Sequence, residues 1–334
     1  MREMQGDLFQ TPAQVCNQYI QKAIEQAKEK TPEKFLAQHG IDMDKPLILA
    51  DFVKVKNNFR VMPNDFARSS LFFVKKKGTE RKTMTREKIF HLSDKVEVRY
   101  TGQELRADDD ELVWLELVNS CLHHQMGDGV EIKVSELLKN LNWAANGENY
   151  AKIRSIISRL KATDILIKNK ITYGDLTQYP KDKQPKIGAI RHSISLISDY
   201  AEYDKINGEP TRYLVSIDKR LIFFFAGGLF SYLYWEEYKK LTPTGRRLTD
   251  YVLSHKTPND LEVKNFLLMC GADTVNSPIK TQNLVAKRAC DELVKKGIVK
   301  SACVKDGFIH IERFNRSPLL HTVENMPPNE VQVA

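Results

Sequence analysis

The chain has 334 residues, 42% of them hydrophobic, which is enough for two domains of ordinary size. Charged residues make up 28%, mean hydropathy is −0.43, and no apolar run approaches the ~20 residues of a membrane helix, so composition excludes a helical membrane protein. Lys and Arg (51) outnumber Asp and Glu (43), and the net charge of +8 favours a polyanionic partner such as nucleic acid. The five cysteines (Cys16, Cys121, Cys270, Cys290, Cys303) form no C-x-x-C pair and are odd in number, so neither a disulfide framework nor a zinc site is expected. The polar start Met1-Arg2-Glu3-Met4-Gln5 lacks the apolar core of a signal peptide. A cytoplasmic, nucleoid- or plasmid-associated protein with no membrane contact is expected.

Residues 1–57 read as a flexible N-terminal arm with a helical stretch over 15–30, closed by Thr31-Pro32. Met62-Pro63-Asn64-Asp65 signals a turn, 70–74 a short strand and Lys75-Lys76-Lys77-Gly78 a basic loop. From there one order of elements is read twice. In the first pass, 96–100 alternates as a strand, and a helix over 109–124 ends at Gly127-Asp128-Gly129. A strand over 130–134 follows, then a short helix capped by Ser135 and a turn over 142–149. The next helix, 150–161, buries Ile153, Ile156, Ile157 and Leu160. A β-ribbon, the wing, starts at 165–167 and returns through 192–198.

In the second pass, 212–217 and 221–225 read as strands. Thr242-Pro243 starts a helix with a hydroxyl cap and proline at its first position. A helix over 263–270 ends at Gly271, and Ser277-Pro278 opens another that runs to Lys296. Asp306-Gly307 between alternating segments marks a hairpin. The pattern predicts an α+β fold of two tandem winged-helix domains, at 58–205 and 206–316, with a disordered tail over 317–334.

The third helix of each unit is the natural reader of a major groove. Burial of one face turns Lys152, Ser155 and Arg159 outward in the first, with Arg154 at the flank. In the second, burial of Ala286, Ala289, Cys290 and Leu293 exposes Lys280, Asn283, Lys287 and Arg288, with Gln282 near the helix start. Lysine and arginine neutralise phosphates; asparagine and glutamine pair with adenine, and arginine with guanine. One such helix is more often a solvated face; two at equivalent places in a basic chain reverse that and favour DNA. Lys168, Lys170, Lys181, Lys183, Lys186 and Arg191 add charge around the first wing.

Asp108-Asp109-Asp110-Glu111 reads as helix-opening acid opposite the dipole rather than a metal site. His123-His124 point ~100° apart on a helix and do not converge on one ion. Phosphate-binding loops and hydrolase motifs are absent, as is the paired-histidine segment of a nicking enzyme. No catalytic residue, metal or cofactor is therefore expected. Gln5-Gly6-Asp7-Leu8-Phe9 places two adjacent apolar side chains on a loose arm, which suits insertion into a partner's pocket.

Several blocks resemble the TrfA replication initiators of broad-host-range plasmids. They are Met62-Pro63-Asn64-Asp65 with Ala67-Arg68-Ser69 and Leu71-Phe72; Tyr100-Thr101-Gly102 with the run from Glu104 to Trp114; and Phe225-Ala226-Gly227, Trp235-Glu236, Arg246-Arg247, Asp250-Tyr251 and Ser254-His255, continuing to Leu268-Met269-Cys270-Gly271 and Glu292-Leu293. The resemblance implies an iteron-binding initiator that binds direct repeats at an origin as a monomer and forms inactive dimers when free. It implies melting of an adjacent A+T-rich region, with contact to its single strand, and recruitment of the host initiator DnaA and replicative helicase. It also implies a polymerase sliding-clamp peptide at Gln5, Asp7, Leu8 and Phe9, with Gly6 in place of the usual leucine. The alternatives are a tandem winged-helix transcriptional repressor without a replication role, and a nickase or relaxase.

Overall fold

The structure, a computed structural model, describes residues 41–56, 58–169, 192–206 and 208–314. The arm peptide at 5–9, most of the loop expected as the first wing and the tail lie outside these residues. Among the described residues no helix is long and apolar enough to cross a membrane.

In chain order the elements are α1 (Leu49–Phe52), β1 (Phe59–Pro63), α2 (Asn64–Ala67), β2 (Phe72–Phe73), β3 (Thr83–Ile89), β4 (Val96–Gln103) and β5 (Leu105–Arg106). Then come α3 (Asp110–Cys121), β6 (Val130–Lys133), α4 (Val134–Leu141), α5 (Gly147–Lys161), β7 (Asp164–Asn169), β8 (His192–Ile194), β9 (Asp199–Ile206) and β10 (Glu209–Ser216). The chain continues through α6 (Ile222–Phe225), β11 (Phe230–Tyr234), α7 (Trp235–Tyr238) and α8 (Pro243–Leu253). It closes with β12 (Leu261–Glu262), α9 (Val263–Met269), α10 (Ile279–Lys295), β13 (Ser301–Lys305) and β14 (Phe308–Glu312).

Two stretches share one topology. In the first, helix α3, strand β6, helices α4 and α5 and the hairpin β9–β10 build a sheet of order β6-β10-β9. In the second, α8, β12, α9, α10 and the hairpin β13–β14 build a sheet of order β12-β14-β13. Each short strand after the first helix thus pairs antiparallel with the last strand of the hairpin: Val130 opposite Val215, and Leu261 opposite Ile309.

Several expectations are corrected. The boundary at 205/206 falls beside the β9–β10 hairpin turn, which pairs Ile206 with Glu209, so β10 belongs to the first unit. The ribbon β7–β8, expected as the wing, instead extends β3–β4 into a sheet of order β3-β4-β7-β8. The hairpin that corresponds to β13–β14 of the second stretch is β9–β10, because its last strand is the one that pairs β6. Residues 221–225 form helical turns rather than a strand: Asp218 accepts from the Arg220 amide and starts them. Ser135 is not a cap; β6 runs directly into α4, with Lys133 in the N-cap position and no side-chain cap.

Local chemistry explains the elements that behave as expected. Thr242 Oγ1 accepts from the Gly245 amide (3.1 Å) with Pro243 in the first turn of α8. Asp306 and Gly307 have φ of 52° and 81°, as a two-residue hairpin turn requires. Gly271, φ 70°, ends the α9 segment, and a Cβ there would lie 2.0 Å from the Phe73 ring, so conformation and packing both demand glycine. The core is continuous between the two stretches. Trp114 is fully buried with Phe66 and Phe72 at centroid distances of 5.4 and 6.0 Å.

Candidate nucleic-acid interface

Helix α5 is capped by Asn146, whose side chain accepts from the Asn149 amide (2.9 Å), and buries Ile153, Ile156, Ile157 and Leu160 as the spacing predicts. Its polar side chains are largely committed within the protein. Arg159 does not stand outward as its spacing predicts. Its Nε and Nη2 donate to Asp110 Oδ1 at 3.1 and 2.8 Å, and the side chain is 14% exposed. The reason is a buried carboxylate: Asp110 sits beneath this flank of the helix and also accepts from Arg81 Nη1 (2.6 Å) and the Arg106 amide (2.7 Å). Burial, with Asp109 adding to it, pushes Asp110 up to about 6, while Arg159 and Arg81 oppose the shift. Arg154 Nε pairs with Glu202 on β9 (3.2 Å), Ser155 Oγ donates to the Ala151 carbonyl, and Lys152 lies 4.1 Å over the Trp143 ring and 3.8 Å from Asp109.

Helix α10 is different. It buries Ala286, Ala289, Cys290 and Leu293, and Lys280, Lys287 and Arg288 stand exposed with no ion pair among the described residues. Asn283 is half-buried beside them. Gln282, expected to read bases, is buried instead. Its Nε2 donates to the carbonyls of Thr274 (3.0 Å) and Ser277 (2.8 Å), fixing the loop that enters the helix. The far half of α10 is tied to α8: Glu292 accepts from the Thr242 amide (2.8 Å) and hydroxyl (2.6 Å). A Cβ on Gly245 would stand 2.2 Å from that carboxylate, so glycine leaves the room this junction needs.

What fixes α5 and α10 relative to each other is a buried joint that the sequence did not announce. Arg247 on α8 is 0% exposed. Its Nη1 donates to Asp250 (2.6 Å) and to Glu111 on α3 (3.2 Å), and its Nη2 to the carbonyls of Ala67 (2.9 Å) and Ser69 (2.6 Å). Arg246 reaches the Ala107 carbonyl (2.6 Å), and Tyr238 donates to Asp250 (2.9 Å). Arg68 donates to the Ser254 hydroxyl and carbonyl, and Ser231 donates to Asn64 (2.7 Å). Strand β1 pairs β11 across the same seam, with Phe59 opposite Tyr234. The blocks at 62–72, 104–114 and 246–255 are therefore the two sides of one interface. Of the acids at 109–111 only Glu111 reaches across it; Asp109 caps α3, and Asp110 meets Arg81 and Arg159 within the first stretch.

Burial, then the nearby Asp250, pushes Glu111 from its ordinary 4.5 up to about 8, against Arg247 and Arg246. A carboxyl raised by folding contributes stability that is full below 4.5 and is lost as pH rises through 8. Burial lowers His255, which acts in the opposite sense near its ordinary 6.5, so the informative quantity is a difference between proteins. Glu111→Gln keeps the shape of the protonated acid. Its thermal midpoint is expected to gain on wild type as pH rises from 5 to 8.5, as followed by circular dichroism; parallel curves would show that Glu111 does not titrate in this window.

A model of the family described as TrfA protein matches residues 14–313. The plasmid replication initiator protein TrfA of Escherichia coli is 32% identical over 311 residues, covering 93% of this chain and 76% of that protein. The crystal structure of domains 2 and 3 of RctB (a selenomethionine derivative) aligns with a TM-score of 0.51 at 13% identity, covering 75% of this chain and 98% of that one. A second crystal structure of RctB domains 2-3 gives 0.44 at 12% identity over 69% and 83%. The mixed α+β fold is thus shared with RctB. The family match spans both stretches and the seam between them, and the chain belongs to the TrfA family.

Proposed function

We propose that this chain is a plasmid replication initiator whose two stretches are tandem winged-helix domains that bind direct repeats at an origin. The observation that carries this reading is the repeated topology, with both sheets in the same strand order and α5 and α10 in equivalent places, in a chain of net charge +8. Helices α5 and α10 would enter successive major grooves, held about one turn apart by the joint around Arg247. Base reading would fall mainly to α10 through Lys280, Asn283, Lys287 and Arg288, because the equivalent polar residues of α5 are engaged internally. Lys152, Arg154 and Ser155 remain positioned for backbone contacts that trade a protein partner for a phosphate.

Melting of the adjacent A+T-rich region would draw on DNA bending and repeated loading, with no catalytic chemistry, metal or cofactor of this chain's own. DnaA and the replicative helicase would then be brought to the melted strand, and pairing with a second copy would hold the free protein inactive. The experiment is a titration of an origin fragment carrying the repeats against an equal-length random fragment across a salt series. Sequence-selective binding that weakens steeply with salt is expected, and equal binding to both fragments overturns the reading.

The peptide Gln5, Asp7, Leu8 and Phe9 separates an initiator from a simple repressor, which has no need of the polymerase clamp. Immobilised sliding clamp is expected to retain the wild type and to lose the Leu8→Ala/Phe9→Ala variant; equal retention removes the peptide from that role. Supercoiled origin DNA with magnesium should stay supercoiled, and a nicked or relaxed product would revive the nickase alternative.

A further inference from the structure

The outward face of α10 is not purely polar. With Gln282, Ala286, Ala289, Cys290 and Leu293 buried on one side, helical spacing puts Lys280, Leu284, Lys287 and Arg288 on the other. Leu284 lies four residues from both Lys280 and Arg288, near the middle of that face, and is 46% exposed. Two further apolar side chains stand at the helix start: Ile279, 74% exposed, and Val275, 88% exposed. None of the three belongs to the buried core. Their positions are held by bonds elsewhere. Gln282 pins Thr274 and Ser277, and Asp273 accepts from the amides of Val275 (2.9 Å) and Asn276 (3.3 Å).

Leaving three large apolar groups in water contributes nothing to folding, so the feature calls for an occupant. The flanking charges choose it. Lys280, Lys287 and Arg288 have no ion pair among the described residues and favour a polyanion around Leu284. Asp291, exposed on the same face seven residues beyond Leu284, disfavours phosphate there and limits contact to the first part of the helix. The apolar group that a DNA major groove offers between two phosphate backbones is the 5-methyl of thymine.

We propose that Leu284 and Ile279, with Val275 at the entry, determine sequence specificity by packing against thymine methyl groups in the repeat. This rests on the DNA-binding reading above and adds to it which bases are read, and how: by apolar contact, beside the hydrogen bonds of Asn283 and Arg288. The charged and polar side chains supply affinity and hydrogen-bond readout; the aliphatic side chains add discrimination against cytosine, which lacks the methyl.

The test uses the full chain and one origin fragment made in two forms, with thymine or with uracil throughout, which differ only in the methyl. Wild type is expected to bind the thymine form more tightly, by roughly fourfold for each methyl that leaves contact. Leu284→Ala and Ile279→Ala are expected to weaken binding to the thymine form and to narrow the thymine-to-uracil ratio toward one. Both side chains are exposed, so unchanged thermal midpoints should accompany the loss, and Leu284→Gln provides a second variant that keeps the helix. Equal affinity of wild type for the two forms overturns the proposal, as does a ratio that is the same in wild type and in all three variants. Failure of wild type to select the thymine form over a random fragment overturns the DNA-binding reading itself.

Discussion

Replacing Arg247 by alanine is expected to lower stability by about 3–5 kcal/mol, because it strands the Asp250 carboxylate in the interior without its cation and leaves Glu111 without its hydrogen-bond donor. The guanidinium also satisfies the carbonyls of Ala67 and Ser69, and these lose their donor in the same step. Urea titration monitored by tryptophan fluorescence measures the loss directly, with Trp114 buried beside the joint. A second substitution tells charge from packing. Arg247→Ala combined with Glu111→Gln and Asp250→Asn removes both acids, and should recover part of the loss while leaving the cavity. If the single variant unfolds at wild-type urea, the buried joint does not hold the two units together.

The second large effect concerns α10. Lys287→Ala and Arg288→Ala should each weaken binding to the repeat by ~1–3 kcal/mol, read by fluorescence anisotropy at fixed salt. Both residues are exposed and without an ion pair among the described residues, so stability should hardly move. Arg159→Ala should do the reverse. It leaves Asp110 with one fewer arginine and lowers stability, with DNA affinity changed only as far as the fold is loosened. The contrast follows from geometry: α5 and α10 occupy equivalent places, yet one spends its cations inside the protein. Equal binding losses for Arg159 and Arg288 would contradict that division.

Much of the fold was legible where a local rule decides. Asp306-Gly307 requires a positive φ at both turn residues, and Thr242-Pro243 offers a hydroxyl to free amides at a helix start, so those elements lie where they were read. The errors occur where a distant segment decides. An apolar run such as Ile222-Phe223-Phe224-Phe225 has no period to distinguish strand from helix, and Asp218 settles it by capping the turns. The partner of β6 is more than seventy residues away in sequence, so pairing with β10 leaves no local mark, and the ribbon nearer in sequence belongs to another sheet.

The candidate site follows the same division. Helical spacing identified the buried stripes of α5 and α10 correctly, and with them the exposed Lys280, Lys287 and Arg288. Arg159, at the edge of its stripe, is turned inward, and Gln282 falls on the buried stripe itself, four residues before Ala286. What each one bonds depends on what another element presents: the carboxylate of Asp110 for one, the carbonyls of Thr274 and Ser277 for the other. Adjacent arginines followed three residues later by an acid, Arg246-Arg247 and Asp250, were the visible trace of the joint. Only the fold brings them to Glu111.

The most direct measurement is hydroxyl-radical footprinting of the full chain on plasmid origin DNA. Protection of each direct repeat is expected on one face of the duplex, in two patches about a helical turn apart. Protection without regard to the repeats, or a single patch per repeat unchanged when Lys287 and Arg288 are both alanine, would contradict this expectation.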